Sequence, residues 1–239
     1  QVVISTGAGG AFATLFLAHL LRRKVIYIET FARVKKPSLF GNMAKRYADL
    51  LLVQWPALLE SWPEAICCNP VEILPGEPPG KKHQIVVTIG TVMTFDRLIR
   101  EVDRLRGEGQ IKCRVIAQIG PTDLKPNHIE FFQECSYDDL NRIMEESEMV
   151  ICHSGTGSIL SALKAGCKVV AVPRIFENGE HYDNHQFEIM EAMEERGLVV
   201  GAPRTEDILP AIEKAFQMKP RYVKFNTTRL VEQIEKFLQ

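Results

Sequence analysis

The stretch from Met149 to Gln186 constrains the fold of this chain more than any other. An apolar run from Met149 to Cys152 predicts a buried strand, and the pattern from Ile159 to Ala165 predicts a helix. A second apolar run, Lys168 to Val172, predicts another strand. Two strands joined by a helix indicate a parallel sheet, in which ligands bind at the carboxyl ends of the strands.

A glycine-rich turn joins the first of these strands to the helix. Backbone N–H groups at a helix N-terminus carry partial positive charge, which suits a diphosphate. Two more glycine turns follow predicted strands, at Gly7 to Gly10 and at Gly90-Thr91. None matches the P-loop pattern or the complete dinucleotide fingerprint, so neither P-loop ATP hydrolysis nor a dinucleotide site is expected. The turn supplies six candidate ligand-binding residues: His153, Ser154, Gly155, Thr156, Gly157 and Ser158.

A polar loop follows the second strand and shares its edge of the predicted sheet. The loop contains Glu180, His181, Asp183, Asn184, His185 and Gln186. His181 and His185 flank Asp183 with a spacing that resembles a metal pair on a helix, but no third ligand stands out, so no metal site is predicted. A sugar-binding loop is the favoured interpretation, because a phosphate cradle and a polar cluster at one edge indicate a ligand site.

Composition sets outer limits on the class of protein. The 239 residues, 46% of them hydrophobic, accommodate one large or two modest globular domains, and the net charge of −1 gives no reason to expect nucleic acid. Six cysteines without a CxxC pair indicate reduced, mostly buried thiols of a cytosolic protein. No apolar run reaches the roughly 18 residues needed to span a bilayer, and no signal peptide pattern is present.

Pro and Gly punctuation divides the chain. We expect a first α/β domain in residues 1–74, a linker in residues 75–83, and a second α/β domain in residues 84–239. The final helix of the second domain is predicted from Lys224 to Leu238. The first domain has only three or four predicted strands and starts at Gln1 directly in a strand, which we interpret as a processed form or a fragment.

The first domain carries a basic region and one candidate base. Residues 1–50 contain eight Lys or Arg side chains against two acidic ones, which fits an anionic lipid diphosphate or membrane surface, or a solvated basic face. Glu29 ends a predicted strand and is followed by Arg33, Lys35 and Lys36. A carboxylate beside cations can orient an acceptor hydroxyl or act as a base. An ion pair that stabilises the loop is the alternative.

Several motifs resemble a known family. Residues 28–35 (IETFARVK) and 48–56 (ADLLLVQWP) resemble the membrane-anchoring subunit of the two-subunit GlcNAc transferase of the dolichol pathway, and its bacterial polysaccharide-synthesis counterpart. Residues 86–91 (VVTIGT), 153–158 (HSGTGS) and 180–186 (EHYDNHQ) resemble the catalytic, donor-binding subunit. The chain is therefore similar to a fusion of the two subunits, related to the family 28 glycosyltransferases that make peptidoglycan lipid II.

The resemblance implies a GT-B-like fold of two Rossmann-like domains, the N-terminal one truncated. It implies an inverting hexosyltransferase that moves GlcNAc or another hexose from a UDP-sugar to a lipid-diphosphate-linked sugar. Such an enzyme works at the cytoplasmic face of a membrane, through peripheral contact and without a cofactor, and a missing N-terminal segment or partner subunit would complete it.

Residue roles also follow from the resemblance. The turn at residues 153–158 would face the donor diphosphate, with Gly90 and Thr91 lining the cleft between domains. Asn184, His185 and Gln186 would contact the donor sugar. The acceptor side would take Gly9, Gly10, Arg33 and Lys35, with Glu29 as the candidate catalytic residue. Ser161 departs from several relatives, which carry a ribose-binding glutamate there.

Two other functions fit the same sequence. A UDP-sugar epimerase of GT-B architecture would need no lipid acceptor and would leave the basic loop after Glu29 without a role. A non-catalytic nucleotide-sugar-binding or membrane-docking module would suit a short first domain. Product analysis separates transfer from epimerisation, and binding of UDP without turnover would indicate the third function.

Overall fold

The computed structural model describes residues 1–7, 9–75 and 80–239 of the chain. These residues form two compact units. Unit 1 consists of Gln1–Glu72 together with Lys224–Gln239, and unit 2 consists of Ile73–Val223. Residues 76–79 of the linker predicted at residues 75–83 lie outside the described residues. No helix among the described residues is long and apolar enough to cross a membrane.

Unit 1 is built on a four-stranded parallel sheet with the order β1-β2-β3-β4. Its strands are apolar runs whose side chains are largely buried in β2 and β3 and more exposed at the β1 edge. A serine caps the second helix, because its side chain accepts a hydrogen bond from the N–H of Gly41. The elements are β1 (Val2–Ser5), α1 (Phe12–Leu20), β2 (Lys24–Ile28), α2 (Leu39–Ala44), β3 (Leu50–Val53), β4 (Ile66–Cys67) and, at the boundary with unit 2, β5 (Val71–Leu74).

Unit 2 is built on a six-stranded parallel sheet with the order β11-β10-β9-β6-β7-β8. Helices cover the sheet, and one large apolar cluster joins β6, β7, β9 and β10 to α3 and α7. Further buried apolar residues, among them Ile159 and Met193, belong to α5 and α6. The elements are β6 (Lys82–Thr88), α3 (Asp96–Gly107), β7 (Arg114–Gln118), β8 (Glu130–Phe132), α4 (Tyr137–Glu146), β9 (Ser147–His153), α5 (Thr156–Lys164), β10 (Lys168–Val172), α6 (His185–Glu195), β11 (Val200–Gly201) and α7 (Ile208–Gln217). The predicted strand, helix and strand after Met149 are therefore confirmed.

The strand order reverses direction at β6 and β9. The chain runs outward from β6 to β7 and β8 on one side, then returns to β9 beside β6 and runs outward through β10 and β11. Such a switch point separates the loops that follow the two central strands and leaves a crevice there. Thr88 pairs with Cys152 in this ladder, so the turns after β6 and β9 are neighbours.

The end of the chain differs from its prediction. Residues predicted as one helix from Lys224 begin instead with β12 (Tyr222–Phe225), and the helix α8 runs from Thr228 to Leu238. β12 forms a two-stranded sheet with β5.

Helix α8 belongs to unit 1, whereas the sequence analysis assigned it to the second domain. Three of its apolar residues pack on the unit 1 core formed by Ile26, Ile28, Leu52 and Cys68: Leu230, Ile234 and Phe237. Lys24 adds a cap, because its Nζ donates to the carbonyl oxygen of Phe237 at 2.9 Å. The helix therefore closes the face of the first sheet.

Candidate functional site

The turn between β9 and α5 places an open helix N-terminus at the switch point. Gly155 is the N-cap residue, and no side chain caps the helix. The N–H groups of the first turn have no partner within the helix, which leaves donors for a ligand. A Cβ at residue 155 would lie 2.2 Å from Nε2 of His153, so only glycine fits between the imidazole and the helix.

The imidazole of His153 is enclosed by two glycine turns. Gly90, with φ at +76°, would bring a Cβ within 3.1 Å of Cε1 of the ring on its other side. Burial, aided by the charge of Arg174, lowers the pKa of His153 to about 4. Its Nδ1 is buried with no partner in hydrogen-bond geometry among the described residues, although the nearby Thr88 backbone raises the pKa. The ring is therefore neutral at physiological pH and incompletely hydrogen-bonded.

A pocket of about 490 Å³ opens at this point, within unit 2. The carboxyl ends of β6, β7 and β9 and the first turns of α4 and α5 surround it. The lining residues are Thr88, Gly90, Thr91, Val92, Gln118, Cys135, Ser136, Tyr137, Leu140, Asn141, Met144, His153, Gly157, Ser158 and Ser161. Five of the predicted site residues are thus brought together: Gly90, Thr91, His153, Gly157 and Ser158.

A buried hydrogen-bond chain fixes the floor of the pocket. Thr88 Oγ1 donates to Oε1 of Gln118 at 2.7 Å, and Nε2 of Gln118 donates to the carbonyl oxygen of Gly90 at 2.9 Å. Both polar side chains are fully buried, so these bonds hold the Gly90 turn rigidly. Gln118 was not among the predicted site residues, although a polar residue at the end of an apolar strand is a usable signal.

The rim of the pocket is formed by the start of α4. Ser136 caps this helix by accepting a bond from the N–H of Asp139. Tyr137 is exposed, and its hydroxyl lies 3.3 Å from Oγ of Ser161, a hydrogen bond that lowers the pKa of Tyr137. Ser161 therefore lies in the pocket wall. No local sequence pattern predicts that α4 packs beside α5 here.

The remaining residues of the glycine turn do not line the pocket among the described residues. Ser154 is buried, and its N–H donates to the carbonyl oxygen of Val172. Its hydroxyl oxygen is buried without a hydrogen-bond partner. Thr156 begins α5 beside the Gly155 cap. These residues build the turn that positions Gly157 and Ser158.

The polar loop before α6 is held by buried contacts of its own. Glu180 forms a bidentate pair with Arg97, at 2.8 and 3.0 Å, and also accepts the N–H of Ile175. Gln186 is buried and accepts the N–H of Arg174 at 3.0 Å. Arg174 in turn donates to the carbonyl oxygens of Ile89 and Met93, and burial lowers its pKa. The loop is therefore tied to the segment that follows β6.

The predicted sugar-binding residues lie at the start of α6, outside the lining of the pocket described above. Asn184 Oδ1 accepts the N–H of Phe176, and its Nδ2 donates to Glu177. His185 contacts the carboxylate of Asp183. Their roles toward a sugar stay predictions.

Glu29 has a structural set of contacts in unit 1. It is fully buried, and its carboxylate accepts hydrogen bonds from the Tyr27 hydroxyl, the N–H of Thr30, and both the N–H and hydroxyl of Ser38. These contacts close the loop from residue 30 to residue 38. They favour the loop-stabilising alternative, achieved through hydrogen bonds, and give no support to a role as base.

The other candidates in unit 1 belong to two separate segments, the turn before α1 and the loop after β2. Gly9 and Gly10 belong to a short 3-10 turn before α1, and Ala8 lies outside the described residues. Arg33 is half-buried and Lys35 is exposed in the loop closed by Glu29. Their assignment to an acceptor side stays a prediction.

Comparison with known proteins identifies the family. The model of the glycosyltransferase family 28 C-terminal domain matches residues 84–238, well over half of the chain. The chain belongs to glycosyltransferase family 28. A second family model, oligosaccharide biosynthesis protein Alg14-like, matches residues 2–70. The family predicted from the motifs is confirmed.

Curated relatives match the two parts of this family 28 chain separately. The UDP-N-acetylglucosamine transferase subunit ALG13 of Yarrowia lipolytica is 35% identical over 152 residues, covering 58% of the chain and 74% of the relative. Subunit ALG14 of the same organism is 44% identical over 71 residues, covering 27% of the chain and 33% of the relative. The chain spans about a third of the length of the ALG14 relatives it matches.

Solved structures confirm the GT-B-like fold of the family 28 chain. MurG from Acinetobacter baumannii has a TM-score of 0.65 at 15% identity, covering 91% of this chain and 65% of that one. The UDP-GlcNAc 2-epimerase of Methanocaldococcus jannaschii has a TM-score of 0.64 at 14% identity, covering 99% and 75%. At such identities the likeness concerns the fold alone.

Proposed function

We propose that this chain binds a UDP-sugar in unit 2 and takes part in an inverting transfer of its hexose to a lipid-diphosphate-linked sugar. The observation that carries the proposal is the pocket at the switch point of the second sheet. It joins an uncapped helix N-terminus to a neutral, incompletely hydrogen-bonded histidine. The names of the ALG13 and ALG14 relatives supply the reaction class.

The start of α5 serves the diphosphate. Its free N–H groups at Gly157 and Ser158 and the positive end of the helix stabilise the negative charge that develops on departing UDP. This arrangement needs no metal ion or other cofactor to neutralise the leaving group. His153, held neutral by burial, adds a polar contact without adding charge.

The remaining part of the pocket serves the nucleoside. Its volume of about 490 Å³ falls within the range of roughly 300–1,000 Å³ typical of small-molecule sites. Tyr137 and Leu140 offer an aromatic and an aliphatic surface for the uracil ring, and Asn141 offers amide groups to its edge. Ser161 replaces a carboxylate near the ribose with a neutral hydroxyl.

Asn184, His185 and Gln186 are proposed to recognise the donor sugar. Gln186 is anchored through the N–H of Arg174, which keeps the start of α6 in place. Gly9, Gly10, Arg33 and Lys35 are proposed for the acceptor side, where two cations suit a lipid diphosphate. The proposed setting is the cytoplasmic face of a membrane, with peripheral contact and a further segment or partner subunit completing the enzyme, because the curated relatives are named as subunits.

Transfer is favoured over the two alternative functions. The GT-B fold occurs in both transferases and an epimerase, so the fold does not separate them. The curated relatives are transferase subunits on both parts of the chain, which favours transfer over epimerisation and over a purely structural module.

Calorimetric titration with UDP and a panel of UDP-sugars tests the proposal. We expect wild type to bind UDP and to prefer one UDP-sugar, whereas Gln186→Ala keeps UDP binding and loses the preference among sugars. Gln217→Ala, at an exposed position at the end of α7, is the matched control and should behave as wild type. Absence of binding of any uridine nucleotide at millimolar concentration would overturn the proposal.

Product analysis then identifies the reaction. With a short-chain lipid-diphosphate sugar and the preferred donor, transfer yields a lipid-linked disaccharide, whereas epimerisation yields a free isomeric UDP-sugar. The assay is run on the chain alone and with an added ALG14-like partner subunit. UDP binding tests the donor pocket, whereas complete turnover also tests the acceptor side.

A further inference from the structure

The loop before α6 brings three metal-binding side chains together. The ligand atoms of His181, Asp183 and His185 all lie within 4.8 Å of one another. Nδ1 of His181 is 3.3 Å from Oδ1 of Asp183, and Nδ1 of His185 contacts the same oxygen. The two imidazole rings meet edge to face, with centroids 4.9 Å apart. One carboxylate oxygen therefore lies between two imidazole nitrogens.

The residues immediately before and after the three side chains hold the loop in place. Glu180, immediately before it, is held by the bidentate pair with Arg97, and Gln186, immediately after it, is held by the N–H of Arg174. The side chain of His181 is only 7% exposed, whereas that of Asp183 is 33% exposed. The cluster is thus anchored in the protein and open to solvent on the carboxylate side.

The donor set and its spacing suit one ion. Two imidazoles and one carboxylate form a common set for Zn²⁺. Bond lengths of about 2.0–2.1 Å in a tetrahedral site separate neighbouring ligand atoms by about 3.3 Å. The distance between His181 and Asp183 already has this value. The closer contact of His185 with Asp183 needs only a small opening of the pair to admit an ion.

We propose that His181, Asp183 and His185 bind one divalent transition-metal ion, with Zn²⁺ as the best match. Three protein ligands leave a fourth position, which a water molecule or an anionic oxygen fills. The sequence spacing alone supplied two histidines, and the fold adds Asp183 as the third ligand. The metal site shares His185 with the residues proposed to recognise the donor sugar, and none of its three ligands lines the donor pocket among the described residues.

Metal titration of chelator-treated protein tests the site. We expect about one equivalent of Zn²⁺ per chain by calorimetry, and Co²⁺ at the same site should show the visible absorption of a four-coordinate ion. His181→Asn and Asp183→Asn should each weaken binding by about tenfold or more, since each removes one of three protein ligands. His83→Asn, which changes an exposed histidine paired with Glu148, is the control and should bind as wild type.

Two further measurements keep the outcomes distinct. Zn²⁺ should raise the unfolding temperature of wild type and of Cys135→Ser, which removes an exposed thiol, but not that of His181→Asn. Zinc binding that is equal in wild type and His181→Asn, or no binding in wild type, overturns the proposal. Asp183 then only orders the loop, through its backbone contacts with His181 and its carboxylate contact with His185. UDP titration in the presence of chelator reports on the donor pocket separately.

Discussion

Two ionisable side chains with buried polar atoms lie where strands end, one in each unit, and they differ in how their hydrogen bonds are satisfied. Glu29 follows β2, and its carboxylate accepts four hydrogen bonds, one from Tyr27 of β2 and three from the loop after it. His153 ends β9 between two glycine turns, and its Nδ1 has no partner in hydrogen-bond geometry. A buried polar group that lacks a partner costs free energy, so its persistence indicates a use other than stability. Two ionisable side chains at the carboxyl ends of strands can therefore have different roles.

Replacing Glu29 tests whether its hydrogen bonds stabilise unit 1. Glu29→Gln presents an amide N–H₂ to the donors of Ser38 or Thr30, which leaves buried N–H groups unpaired. We expect the free energy of unfolding of unit 1 to fall by about 3–5 kcal/mol, because bonds to a buried charge are worth about 1.5–3 kcal/mol each. Urea denaturation followed by fluorescence of the buried Trp62, which contacts the Tyr27 ring, measures the change.

Glu64→Gln is the matched control, since Glu64 pairs with Lys45 at the surface and its loss should cost less than about 1 kcal/mol. A Glu29→Gln protein of wild-type stability that binds UDP but has lost transfer would restore Glu29 as the base.

The low pKa of His153 predicts a pH dependence of stability. The unfolded chain binds a proton near pH 6.5, whereas the folded ring does so only near pH 4. The folded state is therefore at full stability above pH 6.5 and loses it as the pH falls toward 4, by about 3 kcal/mol for this group. Urea midpoints measured from pH 7 to pH 4 should fall more steeply for wild type than for His153→Gln. His83→Gln, at an exposed position, should retain the wild-type slope, and identical slopes for all three proteins would refute the shift.

Substitutions of Gly155 and Gly157 test whether the His153 ring needs the space that the glycine turn leaves. Gly155→Ala would place a Cβ against the His153 ring, whereas Gly157→Ala has no atom within 4 Å of its new Cβ. We expect Gly155→Ala to lower the stability of unit 2 by about 1–3 kcal/mol, as overpacking does, and to weaken UDP binding by displacing the imidazole. Gly157→Ala should leave the stability unchanged. Equal stability of the two variants, measured by chemical denaturation, would show that the ring does not need the space.

Sequence analysis predicted those parts of the fold whose signal is local. β9, α5 and β10 were predicted because apolar runs, glycines and proline mark their limits within one short stretch. The packing of α8 on unit 1 was not predicted, because the pattern of an amphipathic helix does not indicate which core the helix packs on. Its partners Ile26, Ile28 and Leu52 are almost the whole chain away in sequence.

The residues of the candidate site were likewise predictable only where their sequence signal is local. Gly90, His153 and Gly157 were found because glycine turns after strands are local patterns. Tyr137 and Asn141 were not, because they reach the pocket only through the packing of α4 beside α5. The role of Glu29 could not be chosen from the sequence, since a carboxylate after a strand looks the same whether it meets a substrate or closes its own loop.

The placement of α8 has a consequence for synthesis of the chain on the ribosome. Unit 2 is encoded as one uninterrupted segment, from Ile73 to Val223, so its core is translated before α8. The sheet of unit 1 lacks the cover of Leu230, Ile234 and Phe237 during that time, because these residues follow unit 2 in the chain. Unit 1 therefore finishes folding after unit 2 although its sheet is translated earlier, and this uncovered sheet is the segment that chaperones have most reason to protect.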